Sequence, residues 1–144
     1  VMDLWVWLLS TVFKVPSMSF CLVGRWISLM RSGVFRHQSI GKAAPQKAEC
    51  LIGWVSHYVI GILFALLLIL PNDGLWLQNP SLWMALLVGV GTLVFPFFLM
   101  QPALGSGIAA SKTPSPAKAR LKSLLTHSVF GLGLYLSGLL FVML

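Results

Sequence analysis

Four apolar stretches separated by polar connections dominate the chain. They cover approximately residues 1–13, 51–70, 82–100 and 124–144. A helix rises ~1.5 Å per residue, so about 20 apolar residues are needed to cross the hydrocarbon core of a bilayer. The last three stretches match that length, whereas the first is shorter and is predicted to be a truncated helix that begins upstream. Pro96 predicts a kink or a local break in the third helix.

This pattern predicts an all-α polytopic membrane protein, with one integral membrane domain over residues 1–144 and four transmembrane helices in an up-down-up-down bundle. The composition supports the bilayer as solvent, since 58% of the residues are hydrophobic, 9% are charged and the mean hydropathy is +0.90. The pattern H-x-V-x-G occurs at residues 57–61 and again at residues 127–131. This repetition raises the hypothesis of two repeated helical hairpins.

The basic residues concentrate on two of the three connections. Residues 14–49 carry six Lys or Arg and residues 112–122 carry four, whereas the connection 71–81 carries Asp73 alone. Short loops rich in Lys and Arg stay in the cytoplasm, so loops 14–49 and 102–120 are predicted to be cytoplasmic and both termini periplasmic. This orientation places both basic loops on the inner side of the membrane that the chain is predicted to cross. It also accounts for the net charge of +7 without a nucleic-acid partner.

Two features of the first connection follow from this orientation. Apolar residues between Phe20 and Met30 alternate with basic ones, which is typical of a short helix lying on an anionic inner leaflet. Cys21 and Cys50 would lie on the reducing side of the membrane, so we expect two free thiols. The predicted lipid contacts are Arg25, Trp26, Arg31 and Arg36.

Small residues suggest where helices approach each other closely. Gly61 with Ala65 and Gly133 with Ser137 form small-xxx-small pairs, which predict tight packing. The glycine-containing segment 101–107 fits either an anion-binding nest of backbone amides or a flexible helix exit, and we favour the exit.

Ionisable side chains inside the predicted spans carry the functional hypothesis. Asp3, His57 and His127 map to the inner half of the membrane by helical rise, and Gln101 lies near the same face. Such groups commonly mark ion paths, proton relays or ligand sites. We therefore predict a protein that binds or moves a small ligand or a proton at these four residues. Of equal weight is the interpretation that a hydrogen-bonded imidazole only holds helices together.

Other classes of function stay open. Two histidines and a carboxylate could ligate a divalent metal, but no H-E-x-x-H spacing occurs, so we predict no metal site, and the sequence identifies no cofactor. A membrane enzyme acting at the inner leaflet would use His37 and Arg36 together with His57 and His127. A noncatalytic assembly or scaffold protein would use the polar residues for packing alone. Transport by so small a protomer would require a homodimer.

Several strings together carry a family resemblance: MDLW at residues 2–5, VGRW at 23–26, FRH at 35–37, WVSHY at 54–58, FFLMQP at 97–102 and LTHSVFG at 125–131. They resemble an uncharacterised family of small bacterial inner-membrane proteins, defined only as a domain of unknown function. The resemblance spans nearly the whole chain and implies four membrane helices, the first beginning upstream of Val1. It implies no activity and no established site.

Overall fold

The computed structural model describes residues 1–15, 17–72 and 74–144, without the side chain of Asn72, so the predicted acidic position Asp73 lies outside it. The α-helices are α1 (Met2–Thr11), α2 (Phe20–Met30), α3 (Glu49–Ile69), α4 (Leu75–Gln78), α5 (Leu82–Gly91), α6 (Gln101–Leu104) and α7 (Pro116–Met143). A π-helix spans Pro96–Met100, and short 3₁₀ turns span Ile40–Lys42, Leu70–Asn72 and Ile108–Ala110. No strand occurs in this described part, which confirms the all-α class.

Three helical segments of the described chain are long and apolar enough to cross a membrane: Glu49–Ile69, Leu82–Leu104 and Pro116–Met143. They coincide with the second, third and fourth predicted spans. α1 contains ten residues, which is too short for a crossing. The structure therefore supports three candidate spans where the sequence predicted four.

Pro96 interrupts the third candidate span, as predicted. A proline lacks the N–H that would bond to the carbonyl four residues back, and its ring collides with that carbonyl, which here belongs to Thr92. α5 ends immediately before Thr92, and the amide of Leu93 donates to the Val90 carbonyl at 3.0 Å rather than to Gly89. The Gly89 carbonyl is thus released from the helical ladder.

The chain packs as two compact units. Unit 1 comprises Val1–Ser17, Gly61–Leu93 and Leu121–Leu144, and unit 2 comprises Met18–Ile60 and Val94–Arg120. The buried apolar residues at the centre of unit 1 are Leu68, Trp76 and Ala85. Those of unit 2 are Val23, Trp26, Ile40, Ala103 and Leu104.

Within unit 1, α5 crosses α7 at small residues. A Cβ on Gly131 would lie 2.7 Å from the Ala85 carbonyl oxygen, and a Cβ on Gly89 would lie 2.7 Å from the Cα of Gly131. The contact is made by the small residues Ala85 and Gly89, a pair that was not among the predicted ones. A Cβ on Gly133 would meet the residue before α1 at 3.0 Å, whereas one on Gly61 would meet open space. Close packing at Gly133 is confirmed, and close packing at Gly61 is wrong.

Within unit 2, α2 crosses the start of α3 with backbone against backbone. A Cβ on Gly24 would overlap the Glu49 carbonyl, and a Cβ on Gly53 would overlap the Phe20 carbonyl. Any larger residue at either glycine would force the helices apart. This crossing fixes the relative position of the two helices inside the unit.

Cys21 and Cys50 lie at this crossing and form a disulfide. The expectation of two free thiols is therefore wrong for this structure. That expectation considered only the compartment, whereas the helix crossing decides whether the sulfurs can meet. The cysteines are 29 positions apart, so no local spacing indicates the pairing.

Candidate functional site

His127 lies in α7 one turn before the crossing with α5 and forms a polar network there. Its Nδ1 is 3.0 Å from Thr92 Oγ1 and 3.2 Å from the Gly89 carbonyl oxygen. The Thr92 hydroxyl donates to the same carbonyl at 2.7 Å. Thr92 is 3% exposed, so the network lies inside unit 1.

The network favours one tautomer of His127. A carbonyl oxygen can only accept a hydrogen bond. To bond to Gly89, the Thr92 hydroxyl and His127 Nδ1 must therefore each supply a hydrogen of their own. Because the hydroxyl has a single hydrogen, its oxygen accepts from Nδ1. In the tautomer that satisfies both contacts Nδ1 is protonated, and Nε2 of the neutral ring then keeps its lone pair as a proton acceptor.

The local sequence explains why this network forms. Pro96 ends the regular helix at Thr92, and the tightened turn releases the Gly89 carbonyl from its intrahelical partner. Gly131, one turn after His127, allows the backbones to approach closely enough for the imidazole to reach across. Thr92 and Gly89 were not among the predicted site residues. The available signal was the proline four positions after Thr92.

His57 has a different environment. In unit 2 its ring stacks on Phe20 with centroids 4.1 Å apart at 29° and meets Trp54 edge-on at 5.9 Å. Tyr58 lies against it at 5.3 Å. The two H-x-V-x-G patterns therefore place their histidines in unlike surroundings.

Gln101 and His37 each carry a buried polar atom of interest in unit 2. Gln101 Oε1 and His37 Nε2 are buried without a hydrogen-bond partner among the described residues. The His37 amide donates to the Ala103 carbonyl at 2.8 Å, which holds the loop against α6 close to Gln101. Buried polar atoms are normally satisfied by protein, water or ligand. These two atoms are therefore buried polar groups that the described protein atoms leave unsatisfied.

The four predicted site residues divide between the units. Asp3 and His127 belong to unit 1, and His57 and Gln101 belong to unit 2. A shared site of all four stays a prediction.

Comparison with family models identifies the family. A model described as "Protein of unknown function (DUF2938)" matches residues 1–141. The chain belongs to the DUF2938 family. This confirms the resemblance to a domain of unknown function, and the family description supplies no activity. No curated protein and no solved structure matches the chain.

Arg25 of this DUF2938 chain binds inside the protein. Its Nε and Nη2 donate to the two carboxylate oxygens of Glu49, both at 2.8 Å, and its Nη1 donates to the Ala43 carbonyl at 2.9 Å. The two charged side chains are only 11% and 14% exposed. The paired carboxylate raises the pKa of Arg25 above its usual value. Arg25 therefore stays charged, and its donors are bound to Glu49 and Ala43. The sequence had predicted a lipid phosphate as the partner.

Trp26 is also engaged within unit 2, and this revises its predicted lipid contact. Its side chain is 9% exposed, and its indole Nε1 donates to the Phe35 carbonyl at 2.8 Å. Arg31 and Arg36, the other two predicted contacts, are exposed. The environment of Trp26 differs from the prediction because α2 turns one face toward α3 and the loop that follows α2. The alternation of apolar and basic residues does not reveal which face this is.

The part of the DUF2938 chain that the structure describes contains no preformed cluster of metal ligands. There, no group of three or more His, Cys, Asp or Glu side chains could hold a metal ion. The predicted combination of Asp3, His57 and His127 draws on both units.

Proposed function

We propose that this protein is a multi-pass protein of the bacterial inner membrane that accepts and releases a proton at Nε2 of His127. The observation that carries the proposal is the commitment of Nδ1 to Thr92 and Gly89. It leaves Nε2 as a base within a helix that is apolar enough to cross a membrane. Ionisable groups in such helices are costly and commonly serve proton or ligand pathways.

The arrangement suits repeated proton exchange. Nδ1–H keeps its two acceptors whether or not Nε2 is protonated, so the helix crossing survives each change of charge. Asp3, His57 and Gln101 are the other polar groups we propose for the pathway. The basic loops face the cytoplasm and its anionic lipid leaflet in this proposal, and the termini face the periplasm. Movement across the membrane would take place in a homodimer.

A substitution can separate proton exchange from helix packing. In His127→Asn, the amide nitrogen replaces Nδ1 as donor to Gly89, and no equivalent of Nε2 remains. Purified protein is reconstituted into vesicles that contain a pH-sensitive dye, and proton entry is driven by a potassium diffusion potential. We expect wild-type flux above that of empty vesicles and a loss of at least tenfold in His127→Asn, with unchanged thermal unfolding.

Thr92→Val is the matched control. It removes the hydroxyl from the network and leaves Nε2 in place, so we expect lower stability with proton flux retained per folded molecule. Wild-type flux equal to that of empty vesicles would refute the proposal. Equal flux in wild type and His127→Asn would show that His127 serves packing alone.

A second candidate function, an enzyme acting at the inner leaflet, is favoured by the buried and unpartnered Nε2 of His37. Lipid extracts of cells that overproduce the wild-type protein or His37→Ala can be compared by mass spectrometry. A change in lipid composition that requires His37 supports this candidate. Identical extracts count against it.

A further inference from the structure

The two cysteines of unit 2 occupy equivalent positions at the start of two helices. Cys21 is the second residue of α2 and Cys50 is the second residue of α3, and the two are joined by a disulfide. A thiolate is stabilised at the N-terminus of a helix, where the helix dipole is positive. Each of the two sulfur atoms is therefore placed to leave as a thiolate when the bond between them breaks.

Contacts other than the disulfide hold these two helices together. A Cβ on Gly24 of α2 would overlap the Glu49 carbonyl of α3, so the backbones already touch. Arg25 donates twice to the Glu49 carboxylate at 2.8 Å. The ring centroids of Phe20 and Trp54 lie 4.7 Å apart across the same crossing. The crossing therefore has a backbone, an ionic and an aromatic contact that do not involve sulfur.

The crossing keeps the two thiols together when the disulfide is reduced. Two groups held side by side by a folded scaffold react with each other far faster than with groups from solution. The disulfide can therefore open and close without a rearrangement of unit 2. A bond with this property is suited to repeated electron transfer.

The two sulfurs differ in how easily another molecule reaches them. Cys50 is exposed, whereas Cys21 is half-buried. Unit 2 contains eight of the ten basic residues and one acidic residue, Glu49, whose charge is paired with Arg25. Positive surroundings attract an approaching thiolate, which is the species that attacks a disulfide. Accessibility and charge thus both favour attack at Cys50.

We propose that Cys21 and Cys50 form a redox-active pair that exchanges its disulfide with a partner dithiol, which attacks at Cys50. The first partner thiolate bonds to the Cys50 sulfur, and Cys21 leaves as a thiolate with the electron pair of the broken bond. The second partner thiolate then attacks the partner's sulfur in this mixed disulfide, and Cys50 leaves as a thiolate. The partner loses two electrons and two protons and becomes a disulfide, while Cys21 and Cys50 gain the two electrons and take up two protons as thiols.

A dithiol is favoured over a monothiol because Cys21 stays beside Cys50. In a mixed disulfide with a monothiol, Cys21 attacks the Cys50 sulfur again and expels the adduct before a second molecule arrives. The second thiol of a dithiol is also held close, so it competes with Cys21. In the orientation proposed above, the pair faces the cytoplasm, where disulfides that form are usually catalytic or redox-sensing. This last argument alone rests on the proposed function.

The test uses the full chain in detergent micelles, so its result depends neither on membrane orientation nor on proton exchange at His127. The probes are a synthetic peptide with a Cys-x-x-Cys dithiol and the same peptide with its second cysteine replaced by serine. We expect the dithiol peptide to reduce the pair and the monothiol peptide to yield about tenfold less reduced protein, measured by maleimide labelling after acid quenching. Equal reduction by the two peptides would overturn the dithiol assignment.

Circular dichroism of the reduced protein separates a redox-active pair from a structural cross-link. We expect the helical signal to stay unchanged on reduction, because the contacts of the crossing remain. Loss of the helical signal on reduction would identify a structural cross-link and would overturn the proposal.

Two matched variants identify the attacked sulfur. Cys21→Ser leaves only the Cys50 thiol, and Cys50→Ser leaves only the Cys21 thiol. Each variant is mixed with oxidised glutathione, and the adduct is followed by mass spectrometry of the intact protein. We expect the adduct to form about tenfold faster in Cys21→Ser than in Cys50→Ser, and reduced wild type to accumulate none because Cys21 expels it. Equal rates in the two variants would overturn Cys50 as the point of attack, and a lasting adduct in wild type would overturn the role of Cys21.

Discussion

The crossing of α5 and α7 predicts a large difference between two glycine substitutions in spans. In Gly131→Ala the new Cβ would lie 2.7 Å from the Ala85 carbonyl oxygen, while ordinary contact begins at 3.4 Å, so the helices must separate by about 0.7 Å. The two nearest atoms, the Ala85 carbonyl oxygen and the Leu86 Cα, belong to the backbone and cannot rotate away. In Gly61→Ala the new methyl group meets open space.

The magnitudes follow from packing and hydrogen bonding. Overpacking a tight contact costs ~1–3 kcal/mol, and weakening interhelical hydrogen bonds, such as those of His127, adds about 0.6 kcal/mol each. Alanine gains about 1 kcal/mol over glycine in a helix. We expect Gly131→Ala to be destabilised by about 1–3 kcal/mol overall and Gly61→Ala to be neutral or up to ~1 kcal/mol more stable.

The measurement is reversible unfolding of the purified protein in mixed detergent and SDS micelles, followed by circular dichroism. A Gly131→Ala protein as stable as Gly61→Ala would refute the crossing, because the same methyl group would then cost nothing where backbone atoms block it. Combining Gly131→Ala with His127→Ala provides a second check. The two effects should be less than additive, since separation of the helices already weakens the imidazole bonds.

Two further predictions concern unit 2. Arg25→Met and Glu49→Gln should each lower the unfolding temperature more than the double variant Arg25→Met/Glu49→Met, because a single substitution leaves an uncompensated charge; a double variant less stable than either single one would contradict this. If the basic loops face the cytoplasm, Cys21 and Cys50 should be reduced in cells and joined after purification without reductant, which acid trapping followed by maleimide labelling can measure. A bond already present in cells would instead put these loops in the periplasm.

The sequence predicted the elements that the bilayer and proline geometry control. The positions of the three candidate spans followed from apolar length, and the break before Pro96 followed from the missing N–H. Which side chains contact each other depends on how each helix is rotated about its axis. Neither apolar length nor the position of a proline predicts that rotation. Arg25 therefore binds Glu49, 24 positions away, whereas the sequence predicted a contact with lipid. The unlike surroundings of His57 and His127 likewise followed from which helix each faces, although both share the same local pattern.

If the third candidate span crosses a membrane, its break has a consequence for how the chain is inserted. A membrane helix normally leaves the insertion machinery with its backbone already satisfied. Among the described residues, the Gly89 carbonyl accepts hydrogen bonds from Thr92 and from His127 of α7, which is made 38 positions later. Until α7 emerges, part of this carbonyl's hydrogen-bonding capacity is unmet in an apolar environment. The two helices should therefore enter the lipid as a pair, so that removing the later one would delay or prevent insertion of the earlier one.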